Sequence, residues 1–164
     1  MGTKTIYNRF HQWVALQPKA TAVAEDGRPA TYQELDAMAN AIMAKFYNKQ
    51  YSTIGLVMSH SIEMIAAMIA VIKSGAAYVP AEPFLPQERI DYMMQTAGAD
   101  FIITDDYCRH IPDTPPLPDR SVPNGAAYIL YTSGTSSRPK GVIVENHSVV
   151  NYAKAQLSTK NGLG

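Results

Sequence analysis

The stretch Tyr131-Thr132-Ser133-Gly134-Thr135-Ser136-Ser137-Arg138-Pro139-Lys140-Gly141 carries the densest group of ligand-capable residues in the chain. An apolar run from Ala126 to Tyr131 empties into five hydroxyl side chains around one glycine, and an Arg-Pro-Lys-Gly turn follows. Backbone N–H groups and hydroxyls in such a loop make a cradle of donors, with a lysine at the rim. That combination suits the oxygens of a polyphosphate. It is not a Walker loop: the glycine-to-lysine spacing differs, and Gly141 stands where Ser or Thr would follow the lysine. The same composition also fits a solvated loop between two strands, because Ser, Thr and Gly are ordinary turn residues. Other chemistries find less support. Cys108 is the single cysteine, so no internal disulfide can form, and no base pattern lies beside it to make it a nucleophile. His11, His60, His110 and His147 show no HExxH spacing.

The elements that must position this loop follow from hydrophobic periodicity. Residues 5–16 place Ile6, Phe10, Trp13, Val14 and Leu16 near helical spacing, and Pro18 ends the run. A short strand, Ala22 to Ala24, reaches Asp26-Gly27, which predicts a small hairpin. Thr31-Tyr32-Gln33-Glu34 reads as a capping box opening a helix with Leu35, Met38, Ala39, Ile42, Met43 and Phe46 on one face. Strand Thr53–Met58, helix Ser61–Lys73, strand Ala77–Val79, helix Gln87–Ala97 and strand Phe101–Thr104 then alternate. Gly75 and Gly98 stand where helices end. Residues 105–125 hold five prolines and read as an exposed loop. Strand Ala126–Tyr131, strand Val142–Val144 and helix Ser148–Leu157 close the order. Such alternation predicts an α/β fold: a mainly parallel, doubly wound sheet with helices on both faces. Ligands of such sheets bind beyond the carboxyl ends of the strands, where the hydroxyl-rich loop falls.

Length and charge bound the partners. The chain has 164 residues, enough for one domain with a hydrophobic core. It carries 14 Lys plus Arg against 14 Asp plus Glu, so no excess of positive charge equips it for nucleic acid. The longest apolar stretch, Met64 to Ile72, is too short to span a bilayer, and no secretory signal is visible. A cytoplasmic location without nucleic-acid or membrane partners is the expectation.

Three blocks resemble the AMP-forming adenylate ligase superfamily, which includes nonribosomal peptide synthetase adenylation domains, acyl-CoA synthetases and luciferases. Residues 132–141 are similar to its TSG(S/T)TGxPKG phosphate signature. Thr31-Tyr32-Gln33-Glu34-Leu35 with Ala39-Asn40 resembles TYxEL…AN, and Lys73-Ser74-Gly75-Ala76-Ala77-Tyr78-Val79-Pro80 resembles KAGxAYVP. Pro83, Pro86 and Arg89 continue a PxxPxxR pattern, and His147 and Asn151 fall near the HxxxxN that follows the loop, with one residue fewer between them. The AYVP–PxxPxxR combination is most like the opening part of an amino-acid-activating domain.

The resemblance implies a fold and a reaction. The chain would be the first part, residues 1–164, of the large N-terminal subdomain of an adenylation domain, without the C-terminal lid. The reaction would join a carboxylic acid, an amino acid on this reading, to the α-phosphate of ATP with release of pyrophosphate. The acyl group would then pass to the phosphopantetheine thiol of a carrier protein. Thr132, Ser133, Gly134, Thr135, Ser136, Ser137 and Lys140 would hold the β- and γ-phosphates, and Mg2+ ligands would lie outside the chain. Two departures stand out: Ser137 replaces the family's second glycine, and Ala81-Glu82 replaces Ile-Asp. Arg89 reads as an exposed helix arginine, His147 as a local structural residue, and Tyr78 and Tyr131 as strand residues. The later motifs for the carboxylate, the ribose and the lid lysine have no counterpart, so the expectation is an inactive fragment that needs the rest of the domain. A carboxylate–CoA ligase and a non-catalytic binding module stay open as alternatives.

Overall fold

In the computed structural model, which describes residues 4–132 and 138–161 (backbone alone for 157–161), local sequence signals fix most element ends. The predicted capping box forms: the Thr31 hydroxyl accepts from Glu34 N at 3.1 Å, and Thr31 N donates to Glu34 Oε2 at 2.8 Å. It opens helix α2 (Tyr32–Ala44). A second capping box, read only as the start of a helical run, joins Thr5 and Asn8 and opens α1 (Ile6–Leu16). Each such cap contributes about 1 kcal/mol. Between these helices, β1 (Thr21–Glu25) and β2 (Arg28–Thr31) pair antiparallel. Their turn places Asp26 and Gly27 both at positive φ, as a tight Asp-Gly hairpin requires.

Five further strands form the main sheet: β3 (Thr53–Val57), β4 (Ala77–Ala81), β5 (Phe101–Thr104), β6 (Ala126–Thr132) and β7 (Lys140–Glu145). Their order is β5-β3-β4-β6-β7, parallel except for β7, which runs antiparallel to β6. The near-continuous burial of Thr53-Ile54-Gly55-Leu56 is what a central parallel strand covered on both faces demands. Helices α3 (Ile62–Lys73) and α2 cover one face, burying Ile42, Met43, Ala67 and Val71 against Ile54, Leu56 and Ile103. Helix α4 (Gln87–Ala97) covers the other, packing Ile90, Met93 and Met94 on Val79, Ala81 and Ile129. The predicted α/β class, mostly parallel with helices on both faces, is the observed one.

The observed boundaries differ from the predicted ones where pairing overrides composition. Strand β7 begins at Lys140 rather than Val142, because the ladder with β6 runs on through Tyr131↔Gly141 to Thr132↔Lys140. Helix α5 (Asn146–Asn161) starts two residues early. There Asn146, buried, donates to the Gly125 carbonyl and accepts from Ile6 N, tying α5 to α1. The Pro-rich segment is mostly exposed, as expected, but it is anchored. A short 3₁₀ turn, Asp106–Cys108, buries the thiol, Leu117 N donates to Asn40 Oδ1, and Arg120 N donates to the Lys73 carbonyl.

Candidate phosphate-binding site

Strands β3, β4, β5 and β6 all point their carboxyl ends the same way, and the hydroxyl-rich loop leaves from the end of β6. The antiparallel return brings its two roots together. Thr132 and Lys140 are partners across the ladder, both exposed, and the Thr132 hydroxyl donates toward the Lys140 carbonyl at 3.5 Å. A hydroxyl residue and a lysine are therefore paired at the carboxyl edge of the sheet, where doubly wound folds bind ligands. Ser133, Gly134, Thr135, Ser136 and Ser137 lie outside the described residues. Of the seven residues expected to hold phosphate, the structure thus brings together Thr132 and Lys140.

Sequence reading missed the support beneath that pair. Tyr92 on α4 donates its hydroxyl to the Pro139 carbonyl at 3.1 Å, and the Arg138 guanidinium lies 5.6 Å from the Tyr92 ring centroid. Tyr131, one residue before Thr132, hydrogen-bonds the Met93 carbonyl at 3.0 Å and the Thr96 hydroxyl at 2.6 Å. Gly141, opposite Tyr131, leaves room for that ring: an added Cβ would stand 3.1 Å from Tyr131 Cζ. The only sequence signal for this arrangement is helical spacing of Tyr92 and Thr96 on α4, which by itself does not name a partner.

The other blocks do structural work. Lys73 is buried on α3; its ammonium donates to Asn40 Oδ1 at 2.7 Å and sits 4.6 Å from the Tyr7 ring centroid. Burial lowers its pKa from the ordinary lysine value, partly offset by Asp36 and Asp119. Gly75, at φ +90°, turns the chain next to the Arg120 carbonyl, 2.8 Å from where a Cβ would stand. Any side chain there would collide with backbone. Tyr78 packs on Tyr128 at 5.4 Å between ring centroids, and burial pushes its phenol up to about 12. Arg89 is exposed on α4. His147 N and Nδ1 both contact the Pro123 carbonyl, at 3.0 and 3.2 Å, in keeping with a local structural role. Burial pushes the Cys108 thiol up to about 11, which leaves it un-ionised at neutral pH.

The fold agrees with what comparison finds. The AMP-binding enzyme family model matches residues 10–163. The chain is 34% identical to gramicidin S synthase 2 of Brevibacillus brevis over an alignment of 172 positions, gaps included, that covers 93% of the chain. Among solved structures, the N-terminal subdomain of Klebsiella oxytoca NpsA in complex with anthranilyl-AMSN superposes with a TM-score of 0.77 at 26% identity, covering 88% of the chain. The AMPPNP-bound form of the nonribosomal peptide synthetase FmoA3 gives 0.79 at 25% identity, covering 94%. The chain belongs to the AMP-binding enzyme family. It spans 4% of the gramicidin S synthase, 42% of the NpsA chain and 19% of the FmoA3 chain. Among the described residues, no helix is long and apolar enough to cross a membrane.

Proposed function

We propose that residues 1–164 form the N-terminal portion of an adenylation domain that activates an amino acid as its acyl-adenylate for a nonribosomal peptide synthetase. The observation that carries this reading is the return of Lys140 to Thr132 at the carboxyl end of a parallel sheet. ATP supplies the activated phosphate and pyrophosphate as leaving group. Negative charge grows on that leaving group, so donors fixed around it lower the barrier. Thr132 and Lys140 would meet the β- and γ-phosphate oxygens together with Ser133, Gly134, Thr135, Ser136 and Ser137. Mg2+, the acyl-binding pocket and the carrier-protein contact would belong to the remainder of the domain. Support comes from the family match and from the peptide synthetases among the relatives. The cell's cytoplasm, where ATP and amino acids meet, is the expected site of action.

The test is Lys140→Ala in the whole adenylation domain. A charge-assisted hydrogen bond contributes about 1.5–3 kcal/mol, so acyl-adenylate formation should slow by about tenfold to a hundredfold. Stability should barely change, because the lysine is exposed. A single-turnover rate within twofold of the parent would remove Lys140 from the site.

A further inference from the structure

Helix α4 contains no residue that the phosphate reading uses, yet it grips both roots of the loop. On the incoming side, Tyr131 reaches the Met93 carbonyl and the Thr96 hydroxyl. The Thr96 hydroxyl also lies 2.7 Å from the Tyr92 carbonyl, so two hydroxyl protons serve three short contacts. On the outgoing side, Tyr92 donates to the Pro139 carbonyl and faces Arg138. The Tyr92 and Tyr131 rings meet edge to face, 6.4 Å apart at 73°. A cavity of about 300 Å3 lies between them and β7, reaching Lys140 and Gly141. Pro139 stands just before the first residue of β7, and the phenol of Tyr92 donates to its carbonyl.

We propose that Tyr92, backed by Thr96 and Tyr131, is a positioning residue: it sets the placement of Lys140 relative to Thr132 by holding Pro139 against α4. The proposal rests on the phosphate-loop reading for its functional consequence, but not for the brace itself. Lys140 is one peptide beyond Pro139, and Thr132 one beyond Tyr131. Two anchors on a single turn of one helix therefore fix the separation of the two phosphate-facing groups. A displacement of about 1 Å at such a site is enough to cost catalysis. Hydrophobic packing alone would need only the Tyr92 ring. The geometry engages its hydroxyl as well.

Tyr92→Phe keeps the ring and removes only that hydroxyl. Hydrogen–deuterium exchange on the 164-residue chain should show amides 140–142 exchanging severalfold faster in the variant, with residues 53–81 unchanged. Unchanged exchange at 140–142 overturns the brace, whatever the chain does with nucleotide. In the whole adenylation domain, calorimetric titration with ATP and Mg2+ should show affinity about threefold to tenfold weaker for Tyr92→Phe, the span of one neutral hydrogen bond. Thr96→Val should move it in the same direction. ATP affinity within 1.5-fold of the parent, with faster exchange at 140–142, overturns the functional part of the proposal. A parent domain that binds no ATP, or a Lys140→Ala variant that binds it normally, defeats the phosphate-loop reading instead and leaves the exchange result to judge the brace.

Discussion

Asn40 and Lys73 offer the sharpest check on how this fold is held. Both are buried, each about 2% exposed, and Asn40 Oδ1 accepts from the Lys73 ammonium at 2.7 Å and from Leu117 N at 3.1 Å. Its Nδ2 donates to the Asp36 carbonyl. One amide thus joins α2, α3 and the Pro-rich segment. Asn40→Leu strands a buried cation and a backbone N–H together. A hydrogen bond to a charged group contributes about 1.5–3 kcal/mol, and an orphaned N–H costs about 1–3 kcal/mol, so the loss should reach about 3–5 kcal/mol. Lys73→Met keeps most of the volume and removes the charge with its donor, so Asn40 retains Leu117 N and Asp36. That should cost only about 1–2 kcal/mol. The double variant should fall short of the sum by about 1.5–3 kcal/mol, because with no ammonium present nothing charged is stranded. Urea unfolding at pH 7, with slopes compared to confirm similar exposure on unfolding, reads all three. If Asn40→Leu costs no more than Lys73→Met, or if the two add within about 0.5 kcal/mol, the Asn40 amide does not compensate the buried ammonium.

Other expectations follow from the same structure. The isolated chain should give no amino-acid-dependent ATP–pyrophosphate exchange, since it spans 42% of a solved N-terminal subdomain; robust exchange would contradict the proposed division of labour. Strand β7 is an edge that exposes Val142 at 47% and Ile143 at 64%, beside Leu130 on β6, so the chain should self-associate. Val142→Lys with Ile143→Lys should raise the monomer fraction in sedimentation, and a parent that stays monomeric at all concentrations would refute this. Stability should fall in alkali. Burial pushes Cys108 to about 11 and Tyr78 and Tyr107 to about 12, so the unfolded chain loses these protons first and stability declines as pH rises from about 9. Tyr7, raised by burial and by Asp36, acts in the same direction, while Lys73, shifted down, acts with the opposite sign, one group against four. A urea midpoint that holds steady or rises between pH 8 and 10.5 would count against this balance. Cys108 should resist iodoacetamide at pH 7.5 in the folded chain and react readily in urea; equal rates would show that the thiol is exposed.

The order of helices and strands was legible because its causes are local. Capping residues sit three apart at Thr31 and Glu34, the apolar faces of α2 and α3 repeat at helical spacing, and Asp26-Gly27 turns a hairpin with no help from distant residues. The hydroxyl-rich loop could be placed at the carboxyl edge for the same reason, since a strand must end before it. Tertiary structure alone decided the rest. Lys140 became a strand residue through its ladder with Thr132, which no propensity of Lys, Gly or Pro foretells. Lys73, a charged residue at a helix end, turned inward because Asn40 and the Tyr7 ring, 33 and 66 residues away, compensate its burial. Tyr92 met Pro139 across 47 residues. Sequence by itself specifies what the backbone does over a few residues. Which polar side chains are buried, and against which partners, depends on desolvation that is settled only when distant segments come together.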